Sequence, residues 1–397
     1  MKIALVHDDF IQEGGAESLF GTIAQIWPEA PIYTSIVDWN KLPKSIDKNR
    51  MRPSLLQKIP FPENFYRFLL PFYPLAFENF NFNDFDIVIS STTRFASGII
   101  TKPSTINICY INSVPRFLWD EQAKKEYLPK FFRTFFSPIF NWLQKWDKIA
   151  SQRPDFYIAN SQNVARKVKK HYGIASQVIY PAVDTDFFKP LPGKPKKDYY
   201  LVVTRLAKWK KVEIAIKAAI DLGIDLKIVG SGPDATRLMN LDNSVILNPS
   251  NSLRVNSVKN LNKIKDSSVA SLPQNDREGE VDFLGSVSKE KLRALYQNAK
   301  ALIVTQEEDF GIAMAEAQAC GKLVIAYDRG GQKEIIVEGK TGLFFTEQTT
   351  DSLKDAIKRA SKVKWESTAC RNNALRFSQA EFVRKLKLHL AKYAKLS

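Results

Sequence analysis

Short apolar, β-branched runs recur along the chain, each followed by a stretch of helical pattern. In the first half they are Ile3 to Val6, Phe85 to Ser91 (FDIVISS), Thr105 to Ile111 (TINICYI) and Phe156 to Ser161 (FYIANS). A run apolar at successive positions is buried on both faces, as the strands of a parallel sheet are. Strands alternating with helices therefore predict an α/β fold with a doubly wound sheet. The second half repeats the series with YYLVVTR, a helix over Val212 to Leu222, DLKIVGSG, VDFLGSV, AKALIVT, a helix from Gly311, and KLVIAYD. Between the two series, Val178 to Lys197 (VIYPAVDTDFFKPLPGKPKK) is punctuated by proline, glycine and lysine and reads as a linker.

A chain of 397 residues also exceeds the size at which one core keeps growing. We expect two Rossmann-like domains, residues 1–188 and 189–376, followed by a C-terminal helix within 377–397. Such domains bind ligands at the carboxyl ends of their strands, facing a central cleft. Residues 240–280, rich in Ser, Asn and Lys, read as a mobile surface insertion, with a short hairpin as the alternative.

Cys109, Cys320 and Cys370 lie far apart without CxxC spacing, which argues for a reducing compartment and against a cysteine metal site. The opening MKIALVHDDF is too short in apolar residues for a signal peptide and reads as a first strand. The expected location is cytoplasmic, with peripheral contact at the inner face of the membrane. A net charge of +16 asks for an anionic partner: a nucleotide diphosphate, a phospholipid surface or nucleic acid. Its spread along the chain disfavours nucleic acid.

The segment Gln306 to Gly321 (QEEDFGIAMAEAQACG) follows an apolar strand and opens a helix. Such a strand-loop-helix unit presents amides to phosphate. Glu308 falls in its loop and Glu316 about two turns into the helix, where a carboxylate accepts ribose hydroxyls. Both glutamates are equally what a helix start favours through its dipole. VVTRLAKWKK (Val202 to Lys211) puts Arg205 and Lys210 just past another strand. A guanidinium fork and an ammonium there can neutralise a departing diphosphate without a metal ion. Ordinary surface charge in a lysine-rich protein is the bland alternative.

TRLAKWKK, VGSGP, VDFLGSVS, the Glu308/Glu316 pair, AQACGKLVIAYDRGGQKEII, TGLFF, HDDFIQEGGAE and YPAVDTDFF occur in one order. In that order they resemble glycosyltransferase family 4, retaining enzymes of the GT-B fold. The resemblance covers nearly the whole chain apart from residues 240–280. EEDFGI with YDRGG is similar to mannosyltransferases of O-antigen and exopolysaccharide assembly, which implies GDP-mannose as donor and no metal or other cofactor. It implies that Arg205 and Lys210 hold the diphosphate, Glu308 and the amides of Phe310 and Gly311 meet the sugar, and Glu316 grips the ribose. Gly14 and Gly15 would bring their loop close to the diphosphate and to a saccharide or lipid-linked acceptor. The last helix would cross back to the first domain. Three positions depart from the family: Asn112 replaces a histidine that contacts the donor sugar, Thr305 a proline, and Lys211 a glycine.

Rival readings are a sugar-nucleotide epimerase or phosphorylase of the same fold, and a non-enzymatic basic protein binding membrane or nucleic acid. The Asp-x-Asp pairs Asp84/Asp86 and Asp184/Asp186 read as turn residues rather than metal ligands. His7, His171 and His389 lack ligand spacing. Two aromatic and basic stretches, Phe65 to Phe77 and Pro129 to Lys148, read as core, with an interfacial membrane helix as the alternative.

Overall fold

The computed structural model describes residues 1–12, 14–121, 123–124, 130–191, 198–246 and 279–393. It divides into two compact units, one of Met1–Val183 with Phe377–Ser397, the other of Asp184–Arg376.

The first unit is built on a parallel sheet of β1 (Ile3–His7), β2 (Ile32–Thr34), β3 (Met51–Pro53), β4 (Ile87–Thr92), β5 (Ile106–Ile111), β6 (Phe156–Ala159) and β7 (Gln177–Val178), in the order β3-β2-β1-β4-β5-β6-β7. Side chains alternate across a strand, so each strand feeds two cores. Leu5, Ile87 and Ile89 point into one core with Phe20 and Ile23 of α1 (Gly15–Ile26). Ala4, Val6 and Val88 point into the other, with Phe140 and Leu143 of α2 (Lys130–Ala150). α3 (Gln162–Tyr172) covers β6.

The second unit has β8 (Tyr200–Val203), β9 (Leu226–Val229), β10 (Val281–Gly285), β11 (Ala301–Val304), β12 (Leu323–Tyr327) and β13 (Gly342–Phe345), ordered β10-β9-β8-β11-β12-β13 and all parallel. Its longer helices are α4 (Val212–Leu222), α5 (Ala235–Ile246), α6 (Lys289–Asn298), α7 (Ile312–Ala319), α8 (Thr350–Ser361) and α9 (Ser367–Leu375). α10 (Gln379–Ala391) belongs to the first unit, where Phe382, Leu386 and Leu390 enter the α1 core.

Two expectations need correction. Residues 240–246 continue α5, because Leu238 is anchored in the core and the helical hydrogen bonding runs on from there. Residues 247–278 of the expected insertion lie outside the described residues. The expected linker is partly structured: Val178 ends β7, Phe188 is buried, and Arg371 donates to the carbonyls of Thr185 and Phe188 at 2.7 and 2.8 Å. Among the described residues, no helix is long and apolar enough to cross a membrane.

The helices begin in different ways, and α9 starts after Glu366 without a side-chain cap. Ser161, Ser288, Thr349 and Ser378 cap α3, α6, α8 and α10 through their hydroxyls. α1, α4 and α7 follow β1, β8 and β11, the strands flanking the points where strand order reverses. They start at Gly14, Lys211 and Gly311 with no side-chain cap. First-turn amides left without an internal cap are available to an anion.

Candidate functional site

In the second unit, strand order reverses between β8 and β11, so the loops leaving their carboxyl ends stand side by side. Lys210 Nζ, from the first loop, donates to Glu308 Oε1, from the second, at 2.5 Å. Gln306 Nε2 donates to the same oxygen at 2.5 Å. Lys210 is only 7% exposed, with its ammonium 4.1 Å from the centre of the Trp209 ring. A charge that deep requires a partner, and Glu308 provides it. Arg205 is exposed on the same loop.

The main chain of both loops is fixed from behind. Glu308 N–H donates to Gln332 Oε1 at 3.0 Å, and Gln332 Nε2 returns to the Gln306 carbonyl at 2.7 Å. Gly331 N–H reaches the Glu308 carbonyl at 2.8 Å. A Cβ on Gly331 would strike the Asp309 carbonyl, and one on Gly232 the Leu206 carbonyl. Those glycines therefore let β12 and β9 loops support the site by direct backbone contact. Thr305 Oγ1 donates to the Lys210 carbonyl at 2.7 Å, tying the loops together through a hydroxyl that proline lacks. Lys211 sits at φ 54°, the left-handed region that favours glycine.

Gly311 also has positive φ, at 99°, and a Cβ there would strike Met314. Phe310 is buried. On α7, Glu316 is partly accessible and accepts from Tyr296 Oη at 3.0 Å. Burial pushes its carboxyl up to about 7, against the Tyr296 hydrogen bond and Lys289, which favour the charged form.

The first unit reverses between β1 and β4, and there it gathers charges the sequence reading passed over. Asp8 accepts from Thr92 Oγ1, Thr93 Oγ1 and the amides of Thr93, Arg94, Phe95 and Ala96. Burial pushes its pKa up, but Arg94, His7 and the amides outweigh that and hold it low. Asp9 pairs with Arg94 at 2.6 Å, yet burial keeps its carboxyl raised. Glu17, on the first turn of α1, is buried, and burial pushes it up to about 7. A Cβ on Gly14 would lie 2.6 Å from Glu17 Oε2, the movable end of a flexible side chain, and its φ of −152° is ordinary extended backbone. Gly15 opens α1. The two aspartates directly after the first strand were the available signal for this cluster.

Asn112, just past β5, is buried and directs Nδ2 to Ser91 Oγ at 3.0 Å. His7 Nδ1 lies 3.0 Å from the Ser91 carbonyl, and burial lowers the imidazole to about 4, so it stays neutral. Asp86 accepts from Lys2 N–H, and Asp184 from Phe187 N–H and Lys289. Asp86 thus ties the start of β4 to the chain's first residues, and Asp184 serves a local turn and an ion pair. Among the described residues, no three His, Cys, Asp or Glu side chains converge as a metal site would need.

Comparison with known proteins gives concordant matches. Residues 183–377 match the family described as glycosyl transferases group 1, and residues 14–187 match glycosyltransferase family 4. D-inositol 3-phosphate glycosyltransferase of Mycolicibacterium paratuberculosis (strain ATCC BAA-968 / K-10) is 28% identical over 216 residues, covering 51% of this chain and 44% of the relative. An uncharacterised glycosyltransferase of Methanocaldococcus jannaschii is 22% identical, covering 69% and 65%. The chain spans about half the length of the curated relatives it matches. Sucrose-phosphate synthase from Thermosynechococcus elongatus superposes with a TM-score of 0.74 at 17% identity, covering all of both chains. Anabaena Alr3699/HepE, solved with UDP and glucose, gives 0.65 at 17% identity, covering 98% of this chain and 99% of that one. These structures share the fold of two parallel-sheet Rossmann-like domains.

Proposed function

Because the chain belongs to the glycosyltransferases of group 1 and family 4, whose matches together run from residue 14 to residue 377, we propose that it transfers a hexose with retention. The donor in this reading is GDP-mannose, and the acceptor is a saccharide or lipid-linked saccharide of cell-surface polysaccharide synthesis. The enzyme works in the cytoplasm, peripherally at the inner face of the membrane. The observation that carries the reading is the Lys210–Glu308 pair beside the uncapped start of α7, with Glu316 further along that helix.

In this reading Lys210 and Arg205 take up the charge that grows on the diphosphate as the bond from C1 to its oxygen breaks. The acceptor oxygen bonds to C1 from the same face, and its proton passes to the departing phosphate oxygen. Glu308 and the amides of Phe310 and Gly311 hold the sugar, and Glu316 accepts the ribose hydroxyls. Gly14 and Gly15 admit the diphosphate and acceptor, and Asn112 offers the sugar a neutral hydrogen bond. No metal is needed.

A second reading, a UDP-linked hexose donor, is favoured by the UDP bound in the Anabaena structures. Calorimetry against GDP, UDP and ADP separates the two. Tightest binding of GDP, EDTA-resistant transfer from GDP-mannose and an α-mannoside by NMR are the expected results. Preference for UDP replaces the donor, a β product defeats the retaining assignment, and EDTA loss restored by Mn²⁺ defeats metal independence.

A further inference from the structure

The segment Leu55 to Leu75 of the first unit is apolar on two faces but buries only one. Pro62–Phe65, Leu70–Phe72 and Tyr73–Glu78 form successive helical turns, and the joining residues Tyr66, Leu69 and Phe72 stay in the right-handed helical region. Leu70, Tyr73 and Phe77 enter the α2 core. Phe61, Phe65, Phe68, Phe72 and Leu75, spread over these turns and the left-handed residue before them, instead stay out of that core. All five are between 52% and 69% exposed, and Leu55 adds a sixth at 64%. The same core holds Ile139 and Trp146 of α2, and that helix exposes Trp142 and Ile149. Soluble surfaces scatter single apolar residues, but bulky side chains gathered this way mark a contact surface.

Charge identifies the partner. Lys58 and Arg67 are exposed within the segment, and Lys145 and Lys148 on α2. A two-fold contact with a second copy would bury this basic patch against the same basic patch. Aromatic rings interspersed with Lys and Arg suit the boundary between acyl chains and anionic headgroups.

We propose that this face docks the protein on an anionic lipid bilayer, with Phe61, Phe65, Phe68 and Phe72 as the inserted side chains. The proposal deepens the peripheral part of the reading above and is independent of the donor. The test is flotation of the full chain with phosphatidylglycerol–phosphatidylcholine vesicles and with phosphatidylcholine alone. Wild type should float with the anionic vesicles, and Phe65→Ser/Phe68→Ser/Phe72→Ser should lose about tenfold or more of that affinity. Lys58→Glu/Arg67→Glu should weaken anionic binding selectively, while Leu388→Ser, an exposed apolar change on α10, should bind as wild type. Nucleotide affinity and melting temperature should stay unchanged in the triple variant. Equal flotation of wild type and triple variant, or none by either, overturns the proposal. So does a dimer in sedimentation that the triple variant abolishes without any vesicle binding. Vesicle binding without nucleotide binding would instead remove the donor reading and leave this one standing.

Discussion

Lys210 and Glu308, from loops after different strands, share a hydrogen-bonded ion pair 2.5 Å long, so removing either takes the oppositely charged partner from the other. Lys210→Met should lower kcat/KM for transfer roughly 100- to 1000-fold, the loss expected when one preorganised group facing developing charge is removed. Stability should show the pairing separately. In urea unfolding, Lys210→Met/Glu308→Gln should recover about 1 kcal/mol or more relative to the summed single changes. Simple additivity would mean the pair carries no coupling.

If Glu316 accepts the ribose hydroxyls as proposed, nucleotide binding should depend on pH in a defined direction. Burial raises its carboxyl to about 7, and ribose hydroxyls need the ionised acceptor. Affinity for the preferred nucleotide should therefore rise from pH 6 through 7 and level off above about 8. Glu316→Gln should flatten the profile and weaken binding by about 1.5–3 kcal/mol. A flat wild-type profile in calorimetry would take Glu316 out of the nucleotide contact.

Glu17 should cost stability at alkaline pH. Its folded value of about 7 lies above the ordinary 4.5, so the folded state holds the proton more tightly than the unfolded chain. That advantage is complete below 4.5 and is lost as pH rises through 7, on the order of 3 kcal/mol in all. Glu17→Gln should then be more stable than wild type at pH 8 and lose that margin on acidification. Asp147, raised to about 7 by burial, adds a parallel slope that this variant leaves intact.

Lys211→Gly should raise the melting temperature, because φ 54° costs a side-chain-bearing residue about 1–2 kcal/mol. Glycine's freedom in the unfolded chain returns part of that gain. A lower melting temperature would show that the lysine side chain stabilises the turn by more than its strain.

Asn112→Ala should reduce transfer by about 1 kcal/mol of transition-state binding at every pH. Asn112→His should stay active and gain a pH dependence near 6.5, the ordinary imidazole range. If only the histidine variant turns over, the natural asparagine is a disabling change, and the protein is a donor-binding relative.

The apolar runs announced β4 to β6 and β8 to β12 because strands covered on both faces are continuous in sequence. β2 and β3, three residues each, give periodicity nothing to register. The types of Lys210 and Glu308 were legible, but their contact spans 98 positions and only the strand order creates it. Nor could spacing reveal Gln332 and Tyr296, which hold Glu308 and Glu316 in place. The stretch Phe65 to Phe77 read as core because an aromatic stripe near helical spacing more often packs inward. Composition alone cannot say which side stays in water. Phe132 and Phe135, in the second aromatic stretch, fall outside the residues whose side chains are described.

α10 closes the α1 core although the entire second unit separates it in sequence from the strands it covers. Its consequence belongs to biogenesis. A ribosome finishes the first sheet early, but Phe382, Leu386 and Leu390 emerge only after every residue of the other unit has been made. During that interval Tyr110, which stacks edge-on against Phe382, has no cover on that side. A nascent chain stalled anywhere before residue 377 is therefore a substrate for chaperones or proteases, and residues 1–183 alone should accumulate in inclusion bodies. Co-expressed residues 377–397 should rescue that fragment only to the extent that a short helix can find its groove without a tether.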